Sequence, residues 1–543
     1  MERDMANPVV VIGAGPVGQS AALLLARWGL DVTLLDQRPA RDAVGSKAIC
    51  QQRDVLDVWA SVGAGAIADE GLTWTTARTY HRDRELFAWS FTDRGRSPLP
   101  PFVNISQSRT EEILDACVAS ADRVEVRWGH EVDRLAQDAD GVTVTCANGA
   151  VLRTPYVIAC TGARGGVVRD ALGLEFPGET FEDQFLICDI KADLPGWEAE
   201  RRFYFDPPWN PGRQVLIHPC PGSVFRIDWQ VPPGFDLEAE EADGGLDRRI
   251  RQIVGDRPYE VVWRSVYRFH SRLVDRMRVG RVLLAGDCAH LVAPFGARGL
   301  NSGVPDAENA AWKIAFVARG WAPDTLLDTY HGERHAAARE NLDVTGATMR
   351  FLVPQCEDER RVRAATLGAA SADPAYGLRA VDSGRLAEPF WYVDSPLTTP
   401  APDRPFGGRP AKGQAAAPVP GVILPDAPVA VSGRPDATRV RQLLRAGFTV
   451  LLADDAPHGY GDTWADALRD AARAATDAPV ATLRIGDIDV DGALAAALAP
   501  RPGDAWIVRP DAHIAAVLPD ADPDAVTRAL RTALGQPTPA EVS

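Results

Sequence analysis

The stretch Val9-Val10-Val11-Ile12-Gly13-Ala14-Gly15-Pro16-Val17-Gly18 constrains this chain more than any other. A β-branched run breaks into three glycines spaced G-x-G-x-x-G. An apolar helical segment from Gln19 to Trp28 follows, then Gly29, then Val32-Thr33-Leu34-Leu35 ending in Asp36. The order is strand, glycine turn, helix, strand, with a carboxylate about 20 residues after the glycines. Gly13 permits the tight turn, Gly15 lets a pyrophosphate approach the backbone, and Gly18 lets helix and strand pack closely. The helix N-terminus offers free N–H groups and partial positive charge to phosphates. Asp36 is placed to accept from a ribose hydroxyl, and Gln37 and Arg38 leave the strand beside the adenosine end. The pattern predicts dinucleotide binding without choosing between FAD and NAD.

At 543 residues the chain is long enough for about two to four domains. A net charge of -16 excludes nucleic acid and anionic membrane as expected partners, since both need clustered cations. No apolar run reaches the roughly 20 residues of a membrane span, and Met1 to Pro8 lacks a signal-peptide core. A cytoplasmic protein is expected. The eight cysteines, Cys50 to Cys356, include no C-x-x-C pair, so no zinc site or disulfide framework is expected. His331 and His335 lie four apart without the Glu of H-E-x-x-H, and no metal site is expected.

Along the chain, Lys47 precedes a helix from about Gln52 to Val62, within reach of a phosphate or simply solvated. Thr73 to Phe91 reads as strands, with Trp74, Tyr80, Phe87, Trp89 and Phe91 available for packing or for a flat ligand. Gln107 opens a helix. Asn148-Gly149 marks a hairpin. The strand Tyr156 to Cys160 meets a second glycine turn, Thr161-Gly162-Ala163-Arg164-Gly165-Gly166, which brings Gly162 towards the same nucleotide. Between Phe176 and Phe269, four or five antiparallel strands are expected as an inserted sheet. Tyr204, His218, Asp228 and Trp229 are its inward candidates, although plain packing is the favoured reading for any one of them.

A second strong pattern is Arg281 to His290 followed by Pro294-Phe295-Gly296-Ala297-Arg298-Gly299-Leu300-Asn301. A buried strand delivers Asp287 to its carboxyl end, where open α/β sheets place ligands. A helix is expected from Asn301 or Ser302 to Ala318, with Pro305 in its first turn.

Together with Asp306-Ala307-Glu308-Asn309-Ala310-Ala311-Trp312-Lys313 and Tyr330, Glu333 and Arg334, these residues resemble the flavin-dependent aromatic hydroxylases, the single-component FAD monooxygenases. The resemblance spans Val9 to about Arg350. It implies that Gly13, Gly15, Gly18 and Asp36 hold the ADP half of FAD, with Pro16, Val17, Gln37 and Arg38 around it. It also implies that Lys47 stands in for an arginine near the pyrophosphate and that Gln107 contacts the cofactor. Asp287 would bind the ribityl chain, and the backbone of Gly299, Leu300 and Asn301 would approach the isoalloxazine. Pro294, Phe295 and Gly296 are the implied catalytic loop, with His218 opposite. One departure stands out. Thr161-Gly162 occupies the family's Asp-Gly, Gly165 stands where the family has Ser, and one extra residue precedes Arg169.

Pro396 to Pro428 is rich in Pro, Ala and Gly and reads as a semi-extended connector. Beyond it, alternating strands and helices resemble the thioredoxin-like C-terminal domain of the phenolic subgroup, which includes 3-(3-hydroxyphenyl)propionate and polyketide-tailoring hydroxylases. No cysteine follows Cys356, so thiol redox chemistry is excluded there.

The expected fold is α/β: a Rossmann-type FAD-binding domain with an inserted antiparallel-sheet substrate domain, plus a C-terminal thioredoxin-like α/β domain. Its expected limits are 1–175 and 270–394 with middle helices, 176–269 for the sheet, 395–428 for the linker and 429–543 for the last domain, folding separately. The resemblance implies an FAD-dependent monooxygenase that hydroxylates a small phenolic or other activated aromatic substrate. NAD(P)H and O2 are its co-substrates, the oxidant a flavin C4a-hydroperoxide, and a homodimer is left open. Baeyer–Villiger chemistry or flavin binding without turnover are the alternatives.

Overall fold

A computed structural model describes residues 7–42, 48–90, 96–381, 384, 386, 388–410, 414–457 and 463–536. Lys47 and Phe91 lie outside the described residues.

The glycine fingerprint sits in a six-stranded sheet. Its spatial order is Arg278–Val279, Val282–Leu284, Val157–Ala159, Val9–Ile12, Val32–Leu35 and Val124–Arg127. All neighbours are parallel except the edge pair Arg278–Val279 with Val282–Leu284. Parallel strands covered on both faces need continuous apolar runs, and Val9–Ile12, Val32–Leu35, Val157–Ala159 and Val282–Leu284 are buried throughout. Helix Pro16–Arg27 packs on this sheet, and helix Arg298–Ala318 packs against that helix. A three-stranded meander, Val132–Gln137, Val142–Cys146 and Val151–Thr154, carries the expected Asn148-Gly149 turn, with Gly149 at φ 88°.

The inserted sheet is larger than its own sequence segment. Five strands, Gly178–Ala192, Glu200–Phe205, Gln214–Cys220, Val224–Val231 and Tyr259–Leu273, are joined by Thr76–His81 and Arg84–Ser90 on one side and His290–Leu291 on the other. Glu200–Phe205 pairs in parallel with Thr76–His81, so the expected limits 176–269 cut through a continuous ladder. The edge of a sheet presents unpaired N–H and C=O groups, and distant strands cover it here. Helices Leu237–Ala242 and Gly245–Val254, which strand counting missed, cover the outer face. Leu246, Ile250 and Val254, four residues apart, are the buried stripe of the second.

The C-terminal sheet runs Val480–Arg484, Phe448–Leu452, Ala505–Val508, Ile514–Leu518, with the first pair parallel and the rest antiparallel. Helices Trp464–Ala475 and Pro523–Ala533 pack on each other and on this sheet in the expected thioredoxin-like arrangement. The expected connector is not a free tether. Its described residues form no helix or strand, yet Leu397 joins the large core, Val419 and Val422 pack with Trp391, and Leu424 and Ala427 are buried in the core of the last domain. Among the described residues, no helix is long and apolar enough to cross a membrane.

Candidate active site

The three fingerprint glycines do three different things. A Cβ on Gly13 would lie 2.3 Å from the Cys160 carbonyl oxygen, and Gly13 itself is at φ 105°. A Cβ on Gly18 would lie 1.8 Å from the Gly13 carbonyl oxygen, whereas nothing lies within 4 Å of one on Gly15. The outer glycines are therefore fixed by chain-on-chain contact, and Gly15 alone faces open space. That space is a cavity of about 780 Å³. Helix Pro16–Arg27 starts on it with no side-chain cap and no acid in its first turn, leaving its donors to a bound anion. Val17 also lines the cavity. It packs so closely on Gly286 and Gly303 that a Cβ on either would come within 3.1 or 2.7 Å of its methyl group.

At the adenosine end, Asp36 is nearly buried. Its Oδ2 accepts from the Ala14 N–H at 2.8 Å and from Arg38 at 2.9 Å, and its Oδ1 accepts from the Arg38 backbone and Nε, each at 2.9 Å. The Arg38 side chain and these N–H bonds hold the carboxyl below the usual range against the opposing effect of burial. Asp36 thus holds the glycine loop first, and a ribose hydroxyl would share an already bonded carboxylate. Arg41, which no motif flagged, donates to the Ala14 carbonyl at 2.6 Å and is held by Glu111 and Asp115. Gln37 and Gln107 line the same cavity. The Gln107 side chain accepts from Ala48 N–H at 3.0 Å and donates to Glu111 at 2.7 Å, so it also anchors the chain just after Lys47.

The strand Val282–Leu284 ends in a single 3-10 turn, Gly286–Cys288, that presents Asp287 to the cavity with its side chain exposed. Gly286 N–H donates at 3.0 Å to Asp306, whose other partners are His290 at 2.7 Å and Arg334 at 2.6 Å. All three are buried. The long helix begins at Arg298, three residues before the expected start, after Ala297 in the left-handed region at φ 57°. Pro305 is consequently inside the helix, where it withholds the N–H that would bond to the Asn301 carbonyl. Gly299 and Leu300 fall in the first turn, where helix geometry supplies their N–H groups with no carbonyl partner, and both line the cavity. Asn301 lines it too, but its side chain is committed elsewhere. It accepts from Gln52 N–H and donates to the Cys50 and Ala297 carbonyls, tying the helix start to strand Cys50–Gln52.

Pro294, Phe295 and Gly296 form the waist between this half of the cavity and the sheet. Phe295 packs edge-on against Phe185 at 5.6 Å and Phe269 at 6.1 Å. Beyond the waist the wall is the inner face of the large sheet, and its register explains which candidates reach it. Arg226 pairs with His218 and with Asp189, and Arg202 opposite Ile217 sets Arg201 beside His218. One row across four strands therefore reads Arg201, His218, Arg226, Asp189. The next rows add Asp228 and Gln214. Because successive side chains on a strand point to opposite faces, Asp228 facing inward sends Trp229 outward. Trp229 and Tyr204 pack instead in the outer cluster with Leu246 and Ile250, and Tyr204 stacks on Tyr80 at 4.6 Å. Two of the four inward candidates are thereby corrected by strand parity.

The inward wall carries buried polar atoms with no partner among the described residues: His218 Nδ1, Asp228 Oδ1, both Gln214 amide atoms and Trp74 Nε1. Burial, with Arg201 and Arg226 nearby, lowers the His218 pKa well below its ordinary value, keeping the ring neutral. Burial pushes Asp228 up to about 7 against the pull of Arg226.

The second glycine turn does border the cavity. Gly162 is at φ 67°. The Thr161 hydroxyl donates to the Cys288 thiol at 3.0 Å, and Arg169 donates to the Cys288 and Ala163 carbonyls. A Cβ on Gly165 would lie 2.1 Å from Thr161 Oγ1. The two departures at 161 and 165 are thus one packing solution. His331 and His335 bond to Met277 N–H and the Val274 carbonyl, and no metal-holding group occurs among the described residues.

Residues 6–345 match the FAD binding domain family, and residues 417–537 match the aromatic-ring hydroxylase C-terminal family. The chain is 31% identical over 360 residues to a 3-(3-hydroxy-phenyl)propionate/3-hydroxycinnamic acid hydroxylase of Mycolicibacterium smegmatis, covering 65% of this chain and 63% of that one. It is 32% identical over 366 residues to the rifampicin monooxygenase of Streptomyces venezuelae, covering 63% and 71%. The aligned part thus spans under two thirds of the first relative's length. Among solved structures, the flavin-dependent monooxygenase PieE in complex with FAD and substrate superposes with a TM-score of 0.80 at 24% identity, covering 98% of this chain and 100% of that one. Aklavinone-11 hydroxylase with FAD and aklavinone gives 0.76 at 23%, covering 98% and 100%. These two likenesses are of fold.

Proposed function

Because the chain belongs to the FAD-binding-domain family of aromatic-ring hydroxylases, we propose that it is an FAD-dependent monooxygenase hydroxylating a small phenolic or similarly activated aromatic ring, with NAD(P)H and O2 as co-substrates. The observation that carries this reading is one continuous cavity. It runs from the open Gly15 turn, past Asp287 and the first turn of helix Arg298–Ala318, to a sheet wall bearing unpartnered polar groups.

The residues fit FAD along that path. The Gly13–Gly18 turn and helix Pro16–Arg27 would take the pyrophosphate, Asp36 and Arg38 the adenosine end, and Asp287 the ribityl hydroxyls. The N–H groups of Gly299 and Leu300 would meet the isoalloxazine edge, where the helix dipole favours negative charge by roughly 0.3–2 kcal/mol. When bound, the flavin supplies electron transfer from the nicotinamide and activation of oxygen. The chain's own contribution is position and exclusion of water. Phe185, Phe269 and Phe295 close an apolar waist around the reacting ring, while His218, Asp228 and Gln214 orient its polar substituent.

The test is NAD(P)H oxidation and oxygen uptake by FAD-loaded protein across a panel of phenols. Stimulation by a phenol with a hydroxylated product supports the reading. Tight FAD binding with no phenol stimulating either signal overturns it in favour of a non-catalytic flavoprotein.

A further inference from the structure

Asp228 is an acid that no structural duty explains. It sits in the middle of strand Val224–Val231, opposite Leu216 on one side and Ile187 on the other, so neither neighbour in the ladder offers it a bond. Its Oδ1 has neither solvent contact nor a partner among the described residues, and its side chain lines the cavity. Arg226, two residues away on the same face, is already engaged by Asp189 through two bonds at 2.7 and 2.8 Å. A carboxylate oxygen cut off from both water and partners is costly unless something else uses it. His218, on the neighbouring strand and one row away, shows the same deficit at Nδ1.

We propose that Asp228 is the general base of the substrate compartment, taking the proton of a phenolic hydroxyl bound between it and His218. The proposal rests on the phenolic reading above. The step balances simply. The hydroxyl O–H bond breaks, the proton passes to Asp228 Oδ1, and the electron pair stays on the ring oxygen. The wall changes from carboxylate plus neutral phenol to neutral acid plus phenolate, with no net charge created. Neutral His218 serves as the second hydrogen-bonding partner of the same oxygen.

The charged and titratable groups facing Asp228 set the sign. On its own strand this is Arg226. On Gly178–Ala192 it is Asp189, on Glu200–Phe205 Arg201, and on Gln214–Cys220 His218 and Cys220. Across the cavity, strand Cys50–Gln52 contributes Cys50. Cys50 and Cys220 are pushed up to about 12 by burial and stay neutral. Arginine charge on the wall favours the developing phenolate, and a carboxyl that titrates near 7 is matched to proton transfer at neutral pH.

The experiment uses full-length, FAD-loaded protein with 2-naphthol and 3-(3-hydroxyphenyl)propionate as probes. Perturbation of the flavin absorption reports binding, and the red-shifted absorption of the ionised probe reports proton transfer. The expected result is bound phenolate that forms after rapid mixing at a rate rising as pH rises through about 7. In Asp228→Asn the probe should still perturb the flavin, but that rate should fall by about tenfold or more and lose its step near neutrality. Infrared difference spectra of the wild type, without probe, should show a protonated carboxyl band that titrates over the same range and is missing in Asp228→Glu at that frequency and in Asp228→Asn altogether. This second measurement stands even if the Asn variant folds poorly. A variant that binds and ionises the probe like wild type overturns the role of Asp228 and leaves the phenolic reading intact. Failure of both probes to perturb the flavin overturns the phenolic reading and this inference with it.

Discussion

The cavity and the seam with the C-terminal domain are both rich in buried polar groups, and they treat them in opposite ways. Along the cavity wall His218, Asp228 and Gln214 keep atoms without partners. In the seam, charges close on one another. Glu333 accepts from Arg509 at 2.6 and 2.9 Å, from Lys313 and Asn309 at 2.7 Å each, and from Ser395 at 2.6 Å. Arg509 also pairs with Asp511 at 2.6 Å, and Trp312 donates to Asp511. A second knot joins Asp57 to Arg439 at 2.7 Å and to Arg445 at 2.6 Å, with Arg445 also meeting Glu308. The lesson is one of bookkeeping. The seam too keeps single open atoms, Asn309 Oδ1 and Arg439 Nη2, but its acids are paired, whereas the cavity wall leaves an acid and a neutral histidine open towards a space that can hold a ligand.

The seam also changes the standing of the last domain. It was expected to fold separately, but its arginines neutralise acids of the FAD-binding part. One path leads from His513, whose ring packs on Tyr392 at 4.2 Å, through Arg334 to Asp306 and so to the Gly286 N–H behind Asp287. The sharpest way to break the comparison is to end the chain near Asp394. Asp57 then loses Arg439 and Arg445, and Glu333 loses Arg509 and Ser395, so no soluble FAD-loaded protein is expected. Recovery of a yellow, monodisperse truncate would show that the seam is dispensable. At single-residue scale, Glu333→Ala leaves Lys313 buried without its carboxylate and Arg509 with Asp511 alone, a loss of about 3–5 kcal/mol in denaturant unfolding.

Acid probes the same seam without mutation. The arginines hold Asp57 down to about 2 despite its burial, whereas an unfolded Asp titrates near 4. A depressed folded pKa gives stability that is complete above the unfolded value and is lost as pH falls through the folded one. Asp57 should therefore contribute roughly 2 kcal/mol at neutral pH that disappears between about pH 4 and 2. Asp57→Asn should flatten that part of the stability profile. The cavity side gives the contrasting result. Asp287 projects into the cavity from a turn held by other residues, so Asp287→Ala should weaken FAD by about 1.5–3 kcal/mol in a binding titration and lower the apoprotein's melting less than Asp36→Ala does. Asp36→Ala should lower both, because Asp36 also holds the Ala14 N–H.

The six-stranded sheet and the open turn at Gly15 were legible because contiguous apolar strands and a glycine code are local signals. The place of Asp287 at a strand end beside the cavity was legible for the same reason. The register row Arg201, His218, Arg226, Asp189 was not, because it joins four strands whose pairing is set by tertiary contacts. Strand parity alone would have separated Asp228 from Trp229, which cannot share a face. Tyr392, Arg509 and Arg439 were out of reach: each lies far in sequence from its partner, and a lone arginine in a loop looks the same whether it meets an acid or water. The helix start at Arg298 was misjudged because Ala297 takes a left-handed conformation that no glycine announces.

The smallest expected effect concerns Thr161, which stands between the two regimes: it borders the cavity yet has an internal partner. Its hydroxyl donates to the Cys288 thiol and fills the space where a Cβ on Gly165 would go. Gly165→Ser alone should therefore cost about 1–3 kcal/mol by overpacking. In a Thr161→Ala background most of that cost should vanish, leaving a coupling of about 1 kcal/mol in a double-mutant cycle on thermal unfolding. Thr161→Asp asks the functional half of the question. A carboxylate bonds to a hydroxyl more strongly than a neutral hydroxyl does, by roughly 1 kcal/mol, so FAD should stay bound while its reduction by NADH or NADPH changes in rate or apparent affinity. Anaerobic stopped-flow reduction isolates that step. If the Asp variant is reduced like wild type by both donors while the Gly165 cycle still shows coupling, Thr161 belongs with the seam, as a packing residue, and the cavity begins one residue later at Gly162.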